Sequence, residues 1–193
     1  MIKYITYIKK LLEAYISQRC VKISFATMES CGENFKPNGY NSYHETTWGT
    51  VFDFENRKPL VITWGENSSI GDPFYTDVID YDSFIQIDSI QFQDVSKLQP
   101  WSRFIESKIE AVDILTYETN YPNEKDTGWH RVIWAIELEF TIGPILIGAL
   151  HHGDFENYTI AADEIVTISD PVLIENVKTS RKNKRSDWNK FEL

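Results

Sequence analysis

Cysteine, methionine and glycine are scarce in this 193-residue chain, with two, two and nine copies respectively. The two thiols, Cys20 and Cys31, have ten residues between them, a spacing that fits no zinc site. A disulfide between them is not expected in a reducing compartment. The glycines are scattered as turn residues, and no glycine-rich phosphate loop or G-x-S-x-G elbow occurs. Cations are the minority, 19 Lys and Arg against 29 Asp and Glu, for a formal net charge of -10. That balance argues against a general nucleic-acid binder, which needs cations to displace counterions. No apolar run reaches the roughly 18 residues of a membrane-spanning helix. Lys9, Lys10 and Glu13 interrupt the apolar residues of the first segment, as an export signal would not allow, so a cytoplasmic protein is expected.

Apolar residues, by contrast, are plentiful. The hydrophobic share is 42% and the aromatic share 14%, too high for a disordered chain. The length suits one domain that holds its core without metal or disulfide.

Periodicity places the elements. Ile5, Ile8, Leu12, Tyr15 and Ile16 recur at helical steps, with Lys9, Lys10 and Glu13 on the other face, so residues 2–19 read as a helix. Val21, Ile23 and Phe25 begin the strands. Residues 30–45 read as loop, and 47–64 as a hairpin around Glu55–Pro59. Short strands are expected at 74–79 and 84–92, a short helix after Pro100, and a strand over 109–117. His130, Val132, Trp134, Ile136, Leu138 and Phe140 alternate with mostly polar neighbours, which predicts one long half-buried strand. Residues 145–150 read as a central strand and 165–168 as a last one, stopped by Asp170-Pro171. The expected fold is α+β: an N-terminal helix on a mostly antiparallel, strongly twisted sheet. One domain spans 1–174, and a basic, flexible tail spans 175–193.

Charge is segregated along the chain. Pro59 to Ser96 holds seven acids (Glu66, Asp72, Asp77, Asp80, Asp82, Asp88 and Asp94) and no lysine or arginine. Residues 175–193 hold six cations and three acids. Phe74, Tyr75, Tyr81 and Phe84 are interleaved with the acids. Aromatics ringed by charge are how interface hot spots are built. Asp72, Phe74, Tyr75, Asp77, Asp80, Tyr81, Asp82 and Asp88 are therefore the candidate partner-binding residues. The same aromatics also suit a core.

Catalytic candidates are weaker. His151-His152-Gly153-Asp154 follows an apolar strand and offers two imidazoles and a carboxylate for metal or acid–base work. Adjacent residues on a strand point to opposite faces, however, and no third spaced ligand accompanies them. His44 and His130 read as structural histidines. Asp77-x-x-Asp80-x-Asp82 lacks the glycine and distal glutamate of a calcium loop. No cofactor motif is present.

One resemblance can be stated. Trp101, Phe104-Ile105 and Ile109-x-x-Val112-x-Ile114 are followed by Ile136-x-Leu138-x-Phe140, Ile145-Leu146-Ile147-x-Ala149 and Asp163-Glu164-Ile165-Val166. This covers under half the chain, carries no catalytic residue and resembles a loose pattern in small bacterial proteins. In general character the chain resembles the acidic immunity proteins of bacterial toxin–immunity systems. The resemblance implies a non-enzymatic inhibitor that occludes a cognate basic toxin domain and assigns it no binding residue. The alternative is a hydrolase or metal-dependent enzyme built on His151, His152 and Asp154.

Overall fold

A computed structural model describes residues 2–28, 43–67, 72–119, 130–149 and 165–181. The amphipathic first segment is helix α1 (Ile2–Glu13), which buries Ile8 and Leu12 completely. Ten strands follow: β1 (Cys20–Met28), β2 (Tyr43–Thr46), β3 (Gly49–Phe54), β4 (Arg57–Asn67), β5 (Asp72–Ile79), β6 (Ile90–Asp94), β7 (Ile109–Thr119), β8 (His130–Phe140), β9 (Gly143–Ala149) and β10 (Ile165–Ile168). Two more helices, α2 (Tyr81–Phe84) and α3 (Pro171–Arg181), and a 3-10 turn at Trp101–Phe104 complete the described chain.

The fold is α+β, with the strands in two open antiparallel sheets rather than the one expected. The first has the order β5-β4-β3-β1-β6 and the second β2-β10-β9-β8-β7. Alternation along the first sheet explains the division. Ile23, Phe25, Phe52, Phe54, Leu60 and Ile62 point inward to a core shared with Ile136, Leu138, Phe140, Ile145 and Ile147 of the second sheet. Ala26, Val51 and Val61 point outward, where Phe84 covers them. α1 closes one side of the sandwich: it packs on β7, and the Tyr4 hydroxyl bonds the carboxylate of Asp77 in β5.

Buried hydroxyls join the sheets. Thr50 of β3 and Thr167 of β10 share a hydrogen bond of 2.6 Å. The Thr76 hydroxyl of β5 donates to the Trp134 carbonyl (2.7 Å) and accepts the Ala149 amide (2.9 Å). These last two groups lie just beyond the end of the β8–β9 ladder, whose final pair is Ala135–Gly148. Thr76 thus bonds two backbone groups that lie past the last β8–β9 pair. A Cβ at Gly148 would stand 2.7 Å from the Trp134 carbonyl, which is why this position is glycine.

Other sequence expectations change as well: α1 ends at Glu13 rather than near residue 19, and Tyr43–Glu45, expected in a loop, lie in β2. The β8 alternation does not describe one face. Leu115 pairs Ala135 and Thr116 pairs Ile133, so Trp134 is the extra residue of a bulge. The bulge swaps the faces: Ile133, Ile136, Leu138 and Phe140 join the inter-sheet core, while Val132 and Trp134 join a second cluster on the far face with Ile174 and Val177. β8 is also internal to its sheet, so it offers no edge to a second chain. The strand expected over 84–92 is instead α2, a link and β6. The Asp80 side chain accepts the Ser83 amide and starts a helical turn there. Finally, the boundary at 174 falls inside α3. Asp170 accepts the amides of Val172 and Leu173 with Pro171 in the first turn, and Ile174 and Val177 seat the helix on the second sheet. Lys178 bonds Glu137 of β8 at 2.8 Å and Glu175 at 2.9 Å. Residues 182–193 lie outside the described residues.

Candidate functional site

β5 and β6 are opposite edges of the first sheet, and the chain between them must cross its outer face. α2 and residues 85–89 make that crossing. Phe84 goes fully into the sheet, and its neighbours stay at the surface. Phe92 is 41% exposed, Tyr81, Ile87 and Ile90 are partly buried against the same outer cluster, and Ile85, also 41% exposed, follows Phe84 in the chain. Phe92 contacts both Phe84 (centroids 6.0 Å) and Tyr81 (6.4 Å). The result is an exposed aromatic and aliphatic patch fixed to a rigid strand.

Carboxylates are interspersed with it along the chain. Asp80, Asp82, Asp88 and Asp94 are all exposed. Lys58 reaches Asp82 at 2.6 Å and Asp80 at 3.8 Å, an exposed cluster worth little to stability. Asp94 accepts the Ser96 amide at 2.9 Å, and bonding to Ser96 holds its carboxyl below the usual range. It therefore stays charged at any physiological pH.

The expected binding set divides on these facts. Asp80, Tyr81 and Asp82 lie together at α2, and Asp88 is exposed in the link to β6. Tyr75 is buried as a member of the second cluster, with Val132 and Trp134. Asp77 is half-buried and engaged by the Tyr4 hydroxyl and the Val78 amide at 2.7 Å. Burial raises the pKa of both members of the Tyr4–Asp77 pair. That pairing makes Asp77 an anchor for α1 rather than a docking acid. Asp72 and Phe74 belong to the start of β5, where Asp72 pairs Asn67. Ile85, Ile87, Ile90 and Phe92 were missed by sequence reasoning. The signal for them was the apolar series flanking the acids after the Asp80 cap.

The other candidates resolve differently. His151, His152 and Asp154 lie outside the described residues, as do Cys31 and the connection holding Pro122. Cys20 is a free, buried thiol whose pKa is pushed up to about 12 by desolvation, which makes it a poor nucleophile. His44 is buried between Phe25 and Trp101, and desolvation lowers its pKa to about 4. Among the described residues, no group of three or more His, Cys, Asp or Glu is placed to hold a metal ion. No helix of the described residues is long and apolar enough to cross a membrane.

Comparison with known proteins adds no constraint on this reading: no family model, no curated protein and no solved structure matches the chain.

Proposed function

We propose that this is a non-enzymatic protein-binding protein whose docking face is the α2–β6 patch, and that its partner is basic. The observation that carries the reading is the exposed Phe92, seated on Phe84 and Tyr81, in a segment whose Asp80, Asp82, Asp88 and Asp94 are all exposed. Its apolar centre supplies contact area, and its charged rim steers a cationic partner. In its most concrete form the partner is a toxin domain with a cationic active site, and the chain is the cytoplasmic immunity protein that covers it. The sequence resemblance and the net charge of -10 support that form.

The test is capture of partners from native cytosol by the tagged chain, repeated with Asp82→Lys/Asp88→Lys and with Phe92→Ser. A basic protein should be retained at moderate salt by the wild type. The charge reversals should slow its association about tenfold at low salt, and Phe92→Ser should speed its release. The purified chain should also abolish that protein's enzymatic activity at equimolar ratio. A partner held equally well by both variants refutes this face, and one whose activity survives in the complex refutes the inhibitor form.

A further inference from the structure

We infer that β6 receives the partner as an added β-strand, and that the strand it accepts carries apolar residues at its middle and cations at its ends. This rests on the reading of the α2–β6 face as a docking surface and specifies how that face is used. The argument is one of register. The Val95 amide donates to the Ile23 carbonyl at 3.0 Å, which makes Ile23 and Val95 a hydrogen-bonded pair. Antiparallel pairs alternate between bonded and non-bonded. Gln93 opposite Phe25 and Gln91 opposite Thr27 are therefore bonded to β1, whereas Asp94, Phe92 and Ile90 are not. The N–H and C=O groups of those three residues point away from β1.

β6 is the last strand of its sheet, and no described residue pairs with its outer side. Edge strands in soluble proteins are commonly protected by Pro, Lys or inward charges. β6 (Ile90-Gln91-Phe92-Gln93-Asp94) has none of these at its centre. Its side chains set the partner's chemistry. Ile90, Phe92 and Asp94 share the outer face, since Phe92 lies opposite Ala26 of the outer cluster. Gln91 and Gln93 share the other, with Gln93 opposite the inward-facing Phe25. An added strand would meet aliphatic and aromatic surface at Ile90 and Phe92, a carboxylate at Asp94 and another nearby at Asp88, and amide groups on its reverse face. Main-chain bonds supply affinity in this mode, and alternate side chains supply specificity.

The probe is the peptide acetyl-Lys-Thr-Val-Thr-Val-Thr-Lys-amide, a palindrome that offers the same residues in either strand direction. It is titrated to millimolar concentration into the full chain, and backbone amides are followed by NMR. Strand addition should slow exchange of the Ile90, Phe92 and Asp94 amides about tenfold or more near saturation, with little change at Gln91 and Gln93. The peptide with Glu in place of Lys should bind at least about tenfold more weakly, and Phe92→Lys should abolish the protection. Binding that perturbs Tyr81, Ile85 and Phe92 but leaves those three amides exchanging freely overturns strand addition and leaves the docking face standing. No binding of the lysine peptide overturns strand addition, and the partner-capture variants then judge the face independently.

Discussion

His44 makes this fold acid-sensitive by an amount that can be worked out. Its ring lies 5.3 Å from that of Phe25 and 5.4 Å from that of Trp101, and the residue is only 8% exposed. Desolvation lowers its pKa from 6.5 to about 4. The unfolded chain therefore takes up the proton first. The stability that depends on neutral His44 is complete above pH 6.5 and is lost as pH falls from there toward 4. With those two pKa values, linkage gives a loss of about 2 kcal/mol between pH 7 and pH 5. For a chain of this size that corresponds to a melting-temperature drop of roughly 4–8 °C. Asp77, Asp53 and Glu139 have raised pKa values, so their protonation favours the folded state as pH falls and opposes part of the His44 effect. The decisive quantity is therefore a difference between variants. Urea unfolding of wild type and His44→Phe at pH 7, 6 and 5 should show the wild type losing about 2 kcal/mol more than the variant over that range. Equal slopes refute the reasoning. They would mean that the aromatic faces around a protonated His44 compensate the whole cost of burying its charge.

The remaining predictions concern joints between elements. Thr76→Val preserves shape but leaves the Trp134 carbonyl and the Ala149 amide without their cap, and should cost about 2–3 kcal/mol in chemical denaturation. Lys178→Met should release α3 from β8 and strand the largely buried carboxylate of Glu137, at a cost of about 2–3 kcal/mol that shrinks when Glu137→Gln is added. Gly148→Ala places a methyl 2.7 Å from the Trp134 carbonyl and 2.9 Å from the Ala135 side chain, and should cost about 1–3 kcal/mol with altered amide shifts at both residues. By contrast, Asp88→Lys lies on the exposed rim and should change stability by less than about 0.5 kcal/mol.

The sequence was most legible where one period runs unbroken. The start of α1, the β3–β4 hairpin, β7 and β9 lie where their spacing puts them, although α1 stops at Glu13, short of the expected residue 19. β8 shows how a strong pattern misleads. Its even positions alternate through Trp134, but the bulge there rotates the strand, so Val132 and Phe140 end on opposite faces. A bulge is set by what the neighbouring strand and Thr76 offer, and neither is visible in a period-two count. α3 was hidden by its own start signal. Asp170-Pro171 ends a strand, but it also caps a helix, and Ile174 and Val177 were the evidence for the second reading. Around α2, the exposure of Asp80, Asp82 and Asp88 was legible from their charge. Their separation from Asp77 and Tyr75 was not, because it depends on the α1 contact, 73 residues away in sequence.

The placement of β2 bears on how the chain can acquire its structure during synthesis. β2 lies between β1 and β3 in sequence, yet those two pair with each other, and β2 goes to the other sheet. Among the described residues its only strand partner is β10, through Thr46–Ile165 to Tyr43–Ile168. A ribosome-bound chain that has emerged through β9 can assemble most of both sheets but has nowhere to pair Tyr43–Thr46. Loop closure over so long a separation is entropically slow. Until β10 arrives, the nascent protein holds His44 and its aromatic neighbours without the β10 pairing of β2.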